Sequence, residues 1–360
     1  MTEKTQTGVP PVVISASIAF DYIMSFGGSF ADHIIPDKTH VISVSFLVDT
    51  LRKQRGGCGG NMAYSLALLG TSSALVGAVG HDFAPYRETM EAMGVDLTSV
   101  IQVDDQATAS AFMMADRKDN HIASFFPGPS DLAATIDLTG IGNKSAYALV
   151  GATGPSVMKI HAQQLGETSC KLIYDPAFQI IILSADDLVS GIDSSWGLIA
   201  NDYEYAMIER KTGLTLDDLE KRVDLLVVTY GDQGSELRQV GKRVRVPSAP
   251  ASIVKDPTGA GDAYRSGLIK GLLLGRDLEI VGRIAGLTAT YVVEQVGTQE
   301  HSYTASEFIE RFDTSFPDYA GSLSLADLAP NRWSGGNAQA AVSGCALWRI
   351  TNVCNEELRY

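Results

Sequence analysis

Residues 254–267 are Val254-Lys255-Asp256-Pro257-Thr258-Gly259-Ala260-Gly261-Asp262-Ala263-Tyr264-Arg265-Ser266-Gly267. An apolar run at residues 251–254 precedes them and suits either a strand or a loop. After the proline and the two glycines, apolar residues recur at helical spacing, namely Ala263, Leu268, Ile269, Leu272 and Leu273. The pattern therefore predicts a tight turn that leads directly into a helix.

The N-terminus of this predicted helix is suited to binding an anion. Backbone N–H groups in the first turn of a helix lack intrahelical partners and carry the positive end of the helix dipole. Gly259 and Gly261, on either side of Ala260, have no Cβ, so the backbone can approach a phosphate closely. We expect residues 259–261 to form an anion hole.

Asp262 is an unusual residue at such a site, because its carboxylate would repel a bound phosphate. One explanation is that Asp262 is a general base, which takes a proton from a hydroxyl group that attacks the phosphorus. The other is that it caps the helix, since Asp is a favoured N-cap residue. The glycine spacing alone does not separate these two explanations.

The composition limits the classes of partner and compartment. The chain has 360 residues, a net charge of −14 and a pI of about 4.8, which argues against nucleic-acid binding. Its four cysteines are far apart, so neither a zinc site nor a disulfide framework is expected. No apolar run is long enough for a membrane span, and the polar N-terminus does not resemble a signal peptide. We expect a cytoplasmic protein.

From residue 147 onward, predicted strands and helices alternate, which is typical of an α/β fold with a doubly wound, mainly parallel sheet. The β-branched segment 12–19 predicts a buried first strand. Asp21 follows that strand, where open α/β sheets bind ligands. A solvated loop residue is the alternative for Asp21.

Two early segments, about 22–55 and 104–130, predict a small sheet that acts as a lid. In the first, residues 23–26 and 41–48 have the character of strands, and serines alternate with apolar residues in 43–48, as in a sheet covered on one side. In the second, residues 108–114 and 121–126 predict a hairpin. Phe125 and Phe126 end it, either as lid core or as a surface for stacking on a base.

Between the two lid segments, Gly56, Gly57, Gly59 and Gly60 precede Asn61 and a clear helix. So many glycines carry a large cost in chain entropy. We expect a hinge whose bare backbone also packs against a substrate, with Asn61 forming a hydrogen bond to it.

The motifs at 56–61 and 256–262 closely resemble the N- and C-terminal signatures of the ribokinase-like (PfkB) family of sugar and nucleoside kinases. The resemblance covers about residues 10–317, and a ribokinase-like domain is expected over 1–318. Ribokinases usually carry Lys where this chain has Cys58, which weakens a ribose assignment. Residues 319–360 do not resemble the family, and we expect a disordered or artificial extension.

The resemblance implies ATP and Mg²⁺ as cofactors and leaves a monovalent cation open. Asp262 would be the base, Asp21 would hold substrate hydroxyls together with Gly56, Gly57 and Asn61, and Glu204 would act on the metal through water. The nucleotide and its phosphates would be bound by Asn201, Glu204, Thr229, Gly231, Gly234, Asp256 and Thr258. From the residues alone, a capping box explains Asn201 and Glu204 equally well, and an ordinary turn explains the glycines near Thr229.

The expected reaction is ATP-dependent phosphorylation of the primary hydroxyl of a nucleoside, with adenosine favoured. Cys58 and the aromatic surface of Phe125 and Phe126 favour a base over a free sugar, and Phe126 is the expected stacking residue. A sugar kinase and a non-catalytic binding protein on the same fold are the alternatives. We also expect a homodimer formed through the lid, and neither a membrane nor a nucleic acid as a partner.

Overall fold

The structure is a computed structural model, and it describes residues 9–34, 43–118 and 120–330. The strands are β1 (Val12–Ser15), β2 (Ala19–Phe26), β3 (Thr50–Gly56), β4 (Ser73–Val79), β5 (Val100–Gln102), β6 (Ala109–Asp116), β7 (His121–Phe126), β8 (Tyr147–Val150), β9 (Lys171–Tyr174), β10 (Gly197–Asn201), β11 (Leu225–Thr229), β12 (Ser235–Gln239) and β13 (Lys242–Val246). The helices are α1 (Cys58–Leu68), α2 (Ala84–Ala92), α3 (Thr139–Gly142), α4 (Pro155–Gly166), α5 (Ala185–Asp193), α6 (Asp202–Thr212), α7 (Leu216–Glu220), α8 (Ala260–Leu273), α9 (Leu278–Val293) and α10 (Ala305–Ser315).

A large sheet with the strand order β13-β12-β11-β10-β9-β8-β1-β4-β5 forms the centre of the fold. Its strands are parallel except for the antiparallel hairpin β12–β13 at one edge. Neighbouring residues of β1 belong to two different cores: Ile14 packs with α1, α8 and α9, and Val13 with α4, α5 and α6. Both faces of the sheet are therefore covered by helices, which confirms the doubly wound prediction.

A separate sheet with the order β3-β2-β6-β7 lies where the lid is expected, and we call it the lid. The segment predicted as one strand, 12–19, divides here: β1 ends at Ser15, and β2 starts at Ala19 in the lid. Asp21 accordingly lies within a lid strand and not beyond the end of a central strand. Between the two strands, the backbone N–H of Ser17 donates to the carbonyl of Ala152, which fixes the point where the chain leaves the large sheet.

The second predicted lid strand is wrong in position. Residues 43–48 carry no strand, residues 41 and 42 lie outside the described part of the chain, and the lid strand is β3. Strand β3 is a polar, mostly exposed edge strand, so it lacks an apolar pattern. The apolar character of the earlier segment has another cause, because Phe46 packs against Phe26 and Phe30 in an aromatic cluster.

The C-terminal segment 319–330 packs on the domain, which contradicts the predicted start of the extension at residue 319. Leu323 and Leu328 are buried beside α10. Arg276 forms an ion pair with Asp327 at 3.0 Å. The leucines stand in a polar segment without periodicity, so the sequence pattern did not reveal their burial. Residues 331–360 lie outside the described part of the chain.

No helix of the described ranges is long and apolar enough to cross a membrane.

A chain that ends after Pro317 is expected to be less stable than one that ends after Pro330. Each buried leucine contributes about 1.5–3 kcal/mol to the free energy of unfolding, and two would be lost. Urea unfolding of the two chains side by side measures this difference. Equal unfolding midpoints would show that the segment contributes nothing to stability.

Candidate active site

A cleft of about 510 Å³ lies where three neighbouring parallel strands of the large sheet, β9, β10 and β11, end opposite the N-terminus of α8. The carboxyl edge of such a sheet is where α/β proteins bind ligands. The cleft is lined by Asp175, Ala177, Asn201, Asp202, Tyr203, Glu204, Thr229, Gly231, Gly259, Gly261, Asp262 and Arg265.

The N-terminus of α8 has the conformation that its glycines predict. Gly259 is the N-cap residue and has a φ of 82°, a left-handed conformation that glycine adopts readily. A Cβ at Gly259 would lie 2.9 Å from the side chain of Thr298, so the turn also packs tightly. Gly259 and Gly261 line the cleft, whereas the N–H of Ala260, which we expected in the anion hole, donates to the carbonyl of Pro257 at 3.2 Å.

Asp262 does not cap this helix. The N-cap residue is Gly259, and the helix has no side-chain cap hydrogen bond. The half-buried carboxylate of Asp262 instead accepts a hydrogen bond from the side-chain amide of Asn61 on α1, with Nδ2 and Oδ2 2.8 Å apart. The capping explanation for Asp262 is thus removed, and a carboxylate at the anion site remains.

Burial raises the pKa of Asp262 to about 6. The guanidinium of Arg265 and the amide of Asn61 lower this pKa, and the charge of Asp175 raises it. The carboxylate is therefore ionised at neutral pH but more basic than an ordinary aspartate, which suits a group that has to accept a proton.

A chain of buried hydrogen bonds fixes the amide of Asn61. The side-chain N–H of Gln299 donates to the Asn61 Oδ1 at 3.0 Å and to the Tyr86 hydroxyl at 2.6 Å. Tyr86 in turn donates to the carbonyl of Gly56 at 2.8 Å. Because Oδ1 of Asn61 is occupied as an acceptor, its NH₂ group is directed to Asp262.

Asp21 lies on the lid against Gly56. A Cβ at Gly56 would come within 2.1 Å of the Asp21 carboxylate, so a larger residue there would displace this side chain. Burial raises the pKa of Asp21 to about 6, and the charge of Asp262 adds to the effect. The carboxylates of Asp21 on the lid and Asp262 on α8 therefore lie close enough for the charge of Asp262 to raise the pKa of Asp21.

Gly57 and Gly59 are required by the chain itself. Gly57 has a φ of 81°, and a Cβ there would meet backbone atoms of residues 17–19 at 2.6 Å. At Gly59 it would meet the carbonyl oxygen of Ala16 at 2.8 Å. The space beside Gly57, where we expected a substrate to approach, is filled by the backbone of residues 17–19.

Asn201 and Glu204 form the capping box that the sequence left open. The Glu204 N–H donates to the Asn201 Oδ1 at 2.7 Å, and the Asn201 N–H donates to the Glu204 Oε2 at 2.8 Å. Both residues also line the cleft. Burial, followed by the charge of Asp175, raises the pKa of Glu204.

The predicted nucleotide residues divide into two groups. Thr229 and Gly231 line the cleft, whereas Gly234, Asp256 and Thr258 do not. A Cβ at Gly234, where φ is 88°, would meet the Val246 carbonyl oxygen at 2.0 Å, so this glycine serves the turn into β12. The turn before α8 is held by the Asp256 carboxylate, which accepts hydrogen bonds from the N–H groups of Thr258 at 2.9 Å and Gly297 at 3.1 Å.

The register of the lid separates the two phenylalanines. Asp21 pairs with Ala111, and Ala111 pairs with Phe125, so these side chains share one face of the sheet. Phe126 belongs to the opposite face, in the row that contains Phe20. Phe125, with 74% of its surface exposed, is therefore the aromatic residue on the face of Asp21, in place of the predicted Phe126.

Three residues around the cleft are not predicted by the sequence motifs: Arg265, Asp175 and Gln299. Arg265 is a charged residue within the quoted stretch, in a helix that is mostly buried. A charge at such a position could have indicated a role in the site. Asp175 directly follows β9, where the position of a carboxylate at the end of a parallel strand could also have revealed it. No local pattern in the sequence marks Gln299, because its hydrogen-bond partners Asn61 and Tyr86 are distant in sequence.

The chain matches the model of the pfkB family of carbohydrate kinases over residues 21–305. It is 32% identical to the nucleoside kinase of Methanothermobacter thermautotrophicus over 295 residues, which cover 81% of this chain and 95% of that protein.

Solved structures agree with this match. The structure of Burkholderia thailandensis nucleoside kinase in complex with inosine superimposes with a TM-score of 0.77 at 34% identity and covers 85% of this chain and 98% of that one. The same kinase in complex with ADP-inosine gives a TM-score of 0.75 at 35% identity, with 85% and 96% of the two chains covered. The ribokinase of Thermotoga maritima, at 19% identity and a TM-score of 0.70, covers 85% and 99% and shares the fold. The chain therefore belongs to the pfkB family of carbohydrate kinases, and it is a phosphotransferase with an alcohol group as acceptor.

Proposed function

We propose that the protein transfers the γ-phosphoryl group of ATP to the primary hydroxyl of a nucleoside, with adenosine as the preferred acceptor. The observation that carries this proposal is the carboxylate of Asp262, which stands at a helix N-terminus suited to an anion and is held by Asn61 instead of capping the helix. The nucleoside kinases that resemble this chain, one of them solved with inosine, support a nucleoside as the acceptor.

In the proposed reaction, Asp262 takes the proton of the acceptor hydroxyl as its oxygen attacks the γ-phosphorus. The bond between that phosphorus and the bridging oxygen to the β-phosphate breaks, and ADP leaves. Asn61 keeps the carboxylate aligned. The amides of Gly259 and Gly261 stabilise the negative charge on the transferring group, because they are fixed before the reaction begins.

The lid provides the acceptor site in this proposal. Asp21 accepts hydrogen bonds from sugar hydroxyls, and Gly56 leaves room for its carboxylate. Ile23 and Met113 share the face of Asp21 with Phe125 and give it an apolar area large enough for a base. Closure of the lid over the acceptor excludes water, which would otherwise compete for the phosphoryl group.

The donor atoms of the cleft fit Mg²⁺, a cation that prefers oxygen ligands and keeps several of its waters. The capping box uses Oε2 of Glu204, so Oε1 remains for a water of the metal. Within the described residues, no group of three or more His, Cys, Asp or Glu side chains could hold a metal, which agrees with a metal bound mainly through ATP and water. When bound, Mg²⁺ neutralises charge on the phosphates.

A homodimer through the lid also belongs to this proposal. Strand β7 is an edge strand whose residues, Ile122 among them, are all exposed, and Phe112 on the adjacent β6 also exposes apolar surface. An unprotected apolar edge is a surface for strand pairing or packing. Light scattering of the purified protein measures its mass in solution, and a mass of one chain would contradict the dimer.

Replacing Asp262 with Asn is expected to abolish most turnover while ATP still binds. Loss of a general base lowers kcat by about 10²–10⁴. In the unchanged protein, kcat/KM is expected to fall as the pH drops through about 6, because Asp262 is protonated below its pKa. A coupled assay between pH 5 and 8 measures both effects.

The stability of the same variant provides the control. Since the pKa of Asp262 in the folded protein lies above the ordinary value of 3.8, the ionised carboxylate lowers stability at pH values above about 6, and stability increases as the pH falls from 6 towards 4. The melting temperature of Asp262→Asn at neutral pH is therefore expected to equal or exceed that of the unchanged protein. A folded variant with near-normal kcat would exclude Asp262 as the base.

Phe125→Ala is expected to raise the KM for adenosine, and Phe126→Ala is the matched control. A base that stacks on an aromatic ring gains roughly 1–3 kcal/mol, so the KM should increase about tenfold or more for Phe125→Ala. Neither variant should change the KM for ribose, which has no base to stack.

A panel of adenosine, inosine, cytidine, ribose and fructose, assayed under one condition, tests the acceptor itself. The polar Arg52 and Gln54 lie on the face of Asp21 and would favour a free sugar if the acceptor were one. A kcat/KM for ribose or fructose that exceeds those of all nucleosides by tenfold would replace the nucleoside proposal with a sugar kinase.

A further inference from the structure

A buried ion pair lies at the floor of the cleft. Arg265 on α8 and Asp175 after β9 are 7% and 1% exposed. The Arg265 Nη2 donates to the Asp175 Oδ1 at 2.6 Å, and its Nε lies against the other carboxylate oxygen. Asp175 thus faces two of the three guanidinium nitrogens, of which Nη2 forms the hydrogen bond, while Nε is buried without a hydrogen-bond partner among the described residues.

The third nitrogen, Nη1, lies beneath the anion hole. A Cβ at Gly261 would be 2.7 Å from it, so the glycine there allows the guanidinium to sit directly below the backbone of the first turn. Asp175 lies against the other two guanidinium nitrogens, Nη2 and Nε, and so holds the guanidinium in this position. Arg265 itself lines the cleft.

Arg265 is the one cationic side chain among the cleft-lining residues of the described chain. The carboxylates that line the same cleft are Asp175, Asp202, Glu204 and Asp262. A triphosphate brings further negative charge into this space. A buried ion pair is in general a weak source of stability, because removing two charges from water costs more than a well-packed apolar pair would. Stability alone therefore gives little reason for this pair.

We propose that Arg265, clamped by Asp175, is a positioning residue that supplies a fixed positive charge beneath the first turn of α8, beside the phosphates and the carboxylate of Asp262. The proposal rests on the proposed role of Asp262 as the base. Asp175 has the accessory role of holding the guanidinium in place, at the cost of adding one negative charge to the site.

Arg265 and Asp175 act in opposite directions on the pKa of Asp262. Arg265 from α8 lowers the pKa of Asp262, and Asp175 from the end of β9 raises it. From α1, the amide of Asn61 and the thiol of Cys58 also lower it, and Asp21 from the lid is coupled to it by charge. A general loss of packing in variants of Arg265 and Asp175 would not shift the pKa of Asp262 in opposite directions.

The experiment compares Arg265→Gln, Arg265→Lys, Asp175→Asn and the double variant Arg265→Gln/Asp175→Asn. The acid limb of kcat/KM with adenosine and ATP is measured between pH 5 and 8. The Asp262 carboxyl is titrated in parallel by carbon NMR of protein with labelled aspartate, assigned through Asp262→Asn. The NMR titration gives a readout that does not depend on turnover.

Arg265→Gln is expected to shift the midpoint of the titration to higher pH by about one unit, since an opposite charge within a few ångströms changes a pKa by about 1–3 units. Its kcat should fall roughly tenfold or more. Asp175→Asn should shift the midpoint to lower pH. Arg265→Lys keeps the charge and should stay close to the unchanged protein.

The double variant guards against misfolding, because Arg265→Gln alone leaves Asp175 buried and unpaired. With both charges removed, the midpoint should lie between those of Arg265→Gln and the unchanged protein, because the effect of Arg265 on Asp262 is the larger of the two. Arg276→Gln, which breaks the distant ion pair with Asp327, is the matched control and should leave the midpoint unchanged.

The possible outcomes are distinct. Equal midpoints in all folded variants, or shifts of Arg265→Gln and Asp175→Asn in the same direction, would overturn the role of Arg265. An Asp262→Asn variant that retains near-normal kcat would overturn the proposed base instead, whatever the order of the Arg265 series. The predicted order, with opposite signs for the two single variants and no shift in Arg276→Gln, would establish the inference.

Discussion

The hydrogen bond between Asn61 and Asp262 joins the N-terminal turns of α1 and α8, which are 201 residues apart in sequence. Each of these helices begins at a glycine with positive φ, Gly57 for α1 and Gly259 for α8. At each of these glycines a Cβ would clash with a neighbouring segment, with residues 17–19 at Gly57 and with Thr298 at Gly259, so both turns are packed tightly in place. The position of the carboxylate in the cleft depends on this contact.

The same contact connects the carboxylate to the lid. The backbone that leaves β3 at Gly56 accepts the hydrogen bond of Tyr86, and Tyr86 and Asn61 share one donor group on Gln299. The Arg55 side chain completes the cluster by donating to the Gln299 Oε1 at 3.3 Å. Because every member is buried, a change in the position of the hinge would break hydrogen bonds that cannot be replaced by water. The turn at Gly56 and the carboxylate of Asp262 are therefore mechanically linked.

Local patterns in the sequence predicted the doubly wound sheet, the two signatures and the carboxylate at the start of α8. They failed where partners are remote or where apolar residues serve another purpose, as with Phe46, whose aromatic cluster was interpreted as a strand. Phe126 was preferred over Phe125 because no single-sequence pattern fixes the register between β2, β6 and β7. Asp256 and Gly234 match signature positions, but their hydrogen bonds and packing show that such positions also serve to shape turns.

Charge in the cleft presents the remaining problem for a protein with 42 acidic and 28 basic residues that handles a nucleotide. Four carboxylates line the cleft, and a uniformly acidic cleft would repel ATP. The amide dipoles at the start of α8 reduce this repulsion without adding surface cations. Burial has a separate effect, because it raises the pKa of Asp262 and of Glu204. The carboxylates thereby become more basic while the helix terminus attracts the phosphates. A site of this kind can hold an anion and a proton acceptor side by side, as transfer of a phosphoryl group to an alcohol requires.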